Sequence, residues 1–176
     1  MGNQKKIRNY VLCAFFTAIM AVCSWITIPL AVPVTLQTFA VFAALKISGG
    51  KWGTISICIY ILLGIVGVPV FSGFQGGIGV LLGATGGYIA GFILSGIVWW
   101  GITSLFGRSK AVEIIAMLIG LFACYAAGTI WFIAVYTKSL SFADALKWCV
   151  VPFIIPDLFK LLLAFTVSER VNRILK

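Results

Sequence analysis

The chain is predicted to be an all-α integral membrane protein, a bundle of six transmembrane helices with both termini cytoplasmic, and three observations lead there. Of 176 residues, 62% are apolar and only 10% are charged, with a mean hydropathy of +1.15. An ordinary soluble chain is roughly half apolar and about a quarter charged, so too few polar side chains exist here to cover a globule in water. The apolar residues gather into runs long enough to cross a bilayer. The basic residues gather between those runs, on one side.

A helix needs about 20 apolar residues to cross ~30 Å of hydrocarbon at ~1.5 Å per residue. Segments near 9–29, 34–47, 52–70, 79–105, 112–137 and 150–170 meet that need, the second being short and therefore tilted or broken. The start, a basic stretch before a long apolar one, resembles a signal peptide but reads as a retained first span. With a cytoplasmic amino terminus, Lys5, Lys6, Arg8, Lys46, Lys51, Arg108, Lys110, Arg170, Arg173 and Lys176 fall inside, against Lys138 and Lys147 outside. That asymmetry is the positive-inside pattern, and an odd number of spans would scatter it. One membrane domain covering 1–176 is expected. Trp25, Trp52, Trp99, Trp100 and Trp148 are expected to anchor it at the interfaces.

Composition also excludes. The net charge of +9 comes in small groups without an arginine-rich tract, so nucleic acid is not the partner. Five cysteines without CxxC spacing argue against a disulfide framework or a zinc site. There is no His, which removes the commonest metal ligand and general base, and no two carboxylates lie in one region; no catalytic or metal site is expected.

The sixth span holds Asp157 and Lys160, three positions apart on one helical face shared with Phe153 and Ala164. A charge at the bilayer centre costs about 2.5–3.5 kcal/mol on insertion scales, so the pair must face protein or a wet cavity. It either ties helices together or binds a ligand. Pro152 and Pro156 free carbonyls of the preceding turn, or simply kink the helix.

From Gly73 to Tyr88 seven of sixteen residues are glycine. Backbone N–H groups at Gly73, Gly76, Gly77 and Gly79 suit an anion at the opening of the fourth helix. No GxxxxGK[ST] is present, so this is not a nucleotide loop. Gly87 and Gly91 read as helix packing of the GxxxG kind. In the fifth span Tyr125, Gly128, Thr129, Phe132 and Tyr136 share a stripe, whereas Trp131 lies off it. Ala14 and Ala18 form a small-xxx-small pair on the first. The uncharged segments Ile28 to Thr38 and Pro69 to Gly79 are too apolar for free loops and suit lids over a cavity.

These residues resemble the BioY family, the substrate-binding components of energy-coupling-factor (ECF) biotin transporters. The resemblance runs through Val32-Pro33-Val34-Thr35-Leu36-Gln37-Thr38-Phe39, Gly67-Val68-Pro69-Val70-Phe71, Gly76 through Tyr88, Gly128-Thr129-Ile130-Trp131 and Pro156-Asp157-Leu158-Phe159-Lys160. It departs at Ala84, where the family commonly has proline; this loosens the start of the fourth helix without removing a ligand.

What the resemblance implies is a multi-pass protein of the bacterial cytoplasmic membrane that binds biotin from outside. It would work with a transmembrane coupling subunit, met at Ala14 and Ala18, and two ATPase subunits that alone use ATP; no cofactor is implied. Biotin's ureido ring offers two N–H donors and a carbonyl acceptor, so Asp157 would accept from the ring and Lys160 donate to it. The opposite polarity, with Lys160 on the carboxylate tail, stands beside that arrangement. Gly73 to Gly79 and Gln75 would serve the tail, Tyr88, Tyr125 and Thr129 would shape the ring pocket together with Thr85, and Gln37 would belong to the cover. A proton-coupled secondary transporter or channel for another solute is the rival reading.

Overall fold

The computed structural model describes residues 2–30, 32–136 and 142–174. Its first helix, α1 (Gly2–Trp25), is followed by a small antiparallel hairpin of β1 (Thr27–Ile28) and β2 (Val34–Thr35). Then come α2 (Gln37–Ile65), a 3₁₀ turn at Ser72–Phe74, the short α3 (Ile78–Leu82), α4 (Gly86–Phe106) and α5 (Lys110–Trp131). A π-helical stretch, Phe132–Tyr136, extends α5, and α6 (Phe142–Cys149) and α7 (Val151–Ile174) close the chain. Among the described residues, five helices are long and apolar enough to cross a membrane. The fold is that of an all-α membrane protein, because helices satisfy every backbone group where no water can.

One of the five long helices reverses direction. Gly49 sits inside α2 at φ 82° and ψ 164°, a region that is essentially glycine-only. A Cβ on Gly53 would come within 2.7 Å of the Leu45 Cα, eight residues back. In a straight helix those residues are roughly 12 Å apart. The stretch before Gly49 and the stretch after it therefore lie side by side as a helical hairpin.

Small residues set the spacing elsewhere. Gly91 of α4 lies against Cys124 of α5, and Ser95 Oγ crosses the same seam to the Gly120 carbonyl at 2.7 Å. Packing is thus the use of Gly91, and Gly87 likewise sits against Trp131. Hydroxyls inside the bundle bond the preceding turn, as Thr17 does to Cys13 (2.9 Å) and Thr103 to Trp99 (2.8 Å), which hides them from hydrocarbon.

The core runs through Met20, Phe42, Tyr60, Trp99 and Met117. Its outer surface is apolar too, with Phe15, Phe122, Phe159 and Leu162 exposed, as a lipid-facing surface should be. Trp99 is fully buried, which corrects its assignment as an interfacial anchor, whereas Trp100 and Trp148 are exposed.

The drawn spans differ from the elements at their ends. The third stops at Ile65, not residue 70, and the fourth is split by Gly83 to Thr85 into α3 and α4. Glycine content there lets the chain leave the helix, and span length alone does not register it. Lys138 and Lys176, used in the charge count, lie outside the described residues.

Candidate functional site

At one end of the bundle a cavity of ≈ 760 Å³ opens between the β-hairpin, the loop 66–77, α3 and the helices α4, α5 and α7. Its size is that of a small-molecule pocket. Asp157 and Lys160 both line it. Each is more than nine-tenths buried, one turn apart on α7, with Lys160 Nζ donating to Asp157 Oδ1 at 2.7 Å. The second carboxylate oxygen accepts from Tyr125 of α5 at 2.6 Å. The pair is therefore kept from lipid and faces the cavity.

This constellation is saturated toward the protein only in part. A carboxylate offers about four lone-pair sites and an ammonium three donors; among the described residues Asp157 uses two of these and Lys160 one, which leaves capacity on the cavity side. The helix runs through Pro156, which lies inside α7 just before the acid.

Ten of the residues singled out from the sequence line this one cavity: Gln37, Gly73, Gln75, Gly76, Gly79, Thr85, Tyr88, Tyr125, Asp157 and Lys160. Two do not. Gly77 caps α3 and spends its N–H on the Gly64 carbonyl at 2.7 Å, so it has none to offer a ligand. Thr129 is buried behind Tyr88, its Oγ1 3.3 Å from the tyrosine oxygen. It positions the ring instead of touching the cavity. Both absences from the lining have one cause: backbone hydrogen bonding and a neighbouring ring take up groups that spacing alone leaves free.

Tyr88 is seated with care. A Cβ on Gly128 would lie 2.2 Å from its ring, so only glycine leaves it room, and its hydroxyl also reaches the Cys149 carbonyl at 3.2 Å. Trp131, off the expected stripe, donates to the Gly83 carbonyl at 3.0 Å and so ties α5 to the break before α4. The side chain of Tyr136 lies outside the described residues.

Gln37 turns inward. Its Nε2 donates to Tyr60 at 2.5 Å and its Oε1 accepts from Thr35 at 3.3 Å. Tyr60, fully buried, donates in turn to the Val70 carbonyl at 2.9 Å, where Ser24 also donates at 2.5 Å. This chain joins the β-hairpin to the loop 66–77. Above it Trp25 stacks on Phe74 with centroids 4.8 Å apart and donates to the Pro69 carbonyl. The two uncharged segments are thus tied together over the cavity.

Several lining residues escaped sequence reasoning, among them Phe71, Ile89, Phe92, Leu121 and Cys124. They are apolar residues in apolar runs, and nothing in pattern separates a cavity wall from a core. Ala14 and Ala18 are exposed on α1, away from the cavity.

Fold and site together define a multi-pass membrane protein with a hollow of small-molecule size, walled in part by an ion pair, at one end of its helices. The chain belongs to the BioY family, which matches residues 1–176. It is 38% identical over 169 residues to the biotin transporter BioY of Thermotoga maritima, covering 96% of this chain and 98% of that one. It is 38% identical over 168 residues to the probable biotin transporter BioY of Pyrococcus horikoshii, covering 95% and 98%. The crystal structure of the S-component for biotin from an ECF-type ABC transporter superposes with a TM-score of 0.88 at 26% identity, covering 98% of this chain and 95% of that one.

Proposed function

We propose that this chain captures biotin at the outer face of the bacterial cytoplasmic membrane and carries it across as the substrate-binding component of an ECF-type importer. The observation that carries this is the half-satisfied Asp157–Lys160 pair held by Tyr125 in the wall of a cavity of ≈ 760 Å³. An ion pair that only tied helices would bury all of its bonding capacity. This one keeps an acceptor beside a donor, which is the pattern a ureido ring needs.

In this reading Asp157 accepts from a ureido N–H and Lys160 donates to the ureido carbonyl. The valerate tail runs toward Gly73, Gln75, Gly76 and Gly79, and Thr85, Tyr88 and Tyr125 flank the ring. Gln37 acts behind the lining by holding the cover. Capture needs no covalent step and no cofactor, so the protein serves as a binder and not as a catalyst.

The chain forms one membrane domain of six helices. The reversal at Gly49 divides α2 in two, its first part of twelve residues rising only about 18 Å and so crossing part of the bilayer. The end that carries Arg8, Lys46, Lys51, Arg108 and Lys110 faces the cytoplasm by the positive-inside rule, and the cavity then faces outward. A transmembrane coupling subunit docks at Ala14 and Ala18, and two ATPase subunits supply the energy.

Isothermal titration with biotin tests the site on wild type, Asp157→Asn and Lys160→Ala. Loss of either partner strands the other in a buried position, and an affinity drop of about a hundredfold or more is expected. Unchanged affinity in both variants defeats the assignment.

A further inference from the structure

At the opposite end of the bundle lies a second cavity, of ≈ 520 Å³, whose wall carries Arg8, Lys46, Arg108, Lys110, Glu113 and Glu169. Both carboxylates are already engaged. Lys46, 1% exposed, contacts Glu113 and reaches Glu169 at 3.0 Å, and Arg108 Nε donates to Glu113 at 3.0 Å. Lys110, largely exposed, stands 3.6 Å from Glu169. Arg8 is exposed and has no carboxylate partner among the described residues.

Four cations against two carboxylates leave two positive charges on one concave surface. Ser48 also borders it, its Oγ sequestered from solvent and without a partner among the described residues. The level of this cavity in the bilayer is marked by aromatic side chains. Tyr10 and Trp52 meet edge to face at 5.4 Å, on helices that also contribute Arg8 and Ser48 to the wall. Such rings sit among lipid headgroups.

A basic pocket between membrane helices at headgroup depth on the cytoplasmic side is matched by an anionic headgroup. We propose that this cavity holds the phosphodiester headgroup of an anionic phospholipid of the cytoplasmic leaflet, the leaflet being set by the orientation proposed above. Arg8 and Lys110 meet the phosphate, while Lys46, Glu113, Glu169 and Arg108 form the rigid base on which they stand. The site would fasten α1 to the turn within α2 and to the start of α5, at the end away from biotin.

The test is native mass spectrometry of the full chain released from nanodiscs of phosphatidylglycerol or of phosphatidylcholine, for wild type and for the double variant Arg8→Gln/Lys110→Gln. Both residues are exposed, Lys110 touching the network only at Glu169, so the fold is expected to persist, with a thermal melt in detergent as the check. Wild type should retain phosphatidylglycerol in preference to phosphatidylcholine, and retention should fall by about fivefold per cation removed. Equal retention of the two lipids, or full retention by the double variant, overturns the proposal. Stabilisation of wild type by inorganic phosphate in phosphatidylcholine, matching that by phosphatidylglycerol, would assign the site to a soluble anion and overturn the lipid. Because the readout is lipid mass, it stands or falls independently of biotin binding.

Discussion

Tyr125 on α5 donates to Asp157 on α7 at 2.6 Å, so the acid that faces the cavity is aimed by a hydroxyl from a different helix. The remaining oxygen is held by Lys160 at 2.7 Å. Two fixed donors, one on each oxygen, leave the carboxylate one orientation.

Tyr125→Phe removes only the hydroxyl. A hydrogen bond to a charged group contributes about 1.5–3 kcal/mol, so biotin affinity should weaken by roughly ten- to a hundredfold. Titration calorimetry measures this, and Asp157→Asn combined with Tyr125→Phe should lose less than the two single losses together, because the groups act as one unit.

Gly128→Ala places a methyl into the Tyr88 ring. Overpacking of this kind costs about 1–3 kcal/mol, and the displaced ring should also weaken ligand binding. A thermal melt in detergent and a binding isotherm on the same preparation check both effects.

Tyr60→Phe cuts the link between Gln37 and the Val70 carbonyl while leaving the ring in its buried place. Unsatisfied buried groups cost about 1–3 kcal/mol. Since the bonds join the two segments that cover the cavity, the loss should appear mainly as faster release of biotin, measured by stopped-flow displacement, with little change in the association rate.

Gly49→Ala forces a side chain into backbone angles that only glycine tolerates. The cost is about 1–3 kcal/mol, expected as a lower melting temperature with biotin affinity intact at low temperature, because the reversal lies at the end away from the cavity.

Much of the cavity wall was legible in the sequence for one reason: Asp157 and Lys160 are charges in an apolar run, and lipid makes such charges conspicuous. Glycine-rich spacing likewise pointed to Gly73, Gly76 and Gly79, which line the cavity. Phe71 and Phe92 carry no comparable signal. Gly77 and Thr129 stand outside the lining because a hydrogen bond to Gly64 and the ring of Tyr88 engage them, contacts between parts of the chain that spacing does not relate. Glu113 and Glu169 went unremarked, since an acid near the end of a span looks like any headgroup-level residue until Lys46 is found buried against both.

By itself the sequence determined the class and its helical character, because a long apolar run in lipid has no other way to satisfy its backbone, and it marked the Asp157–Lys160 pair inside the last span. Only the tertiary structure decided that α2 turns back on itself, that two uncharged segments are tied into a cover through Tyr60, and which acids hold which bases. Those outcomes rest on close approaches between residues far apart in the chain, where a single side-chain volume or hydrogen bond selects the partner and local pattern carries no trace of it.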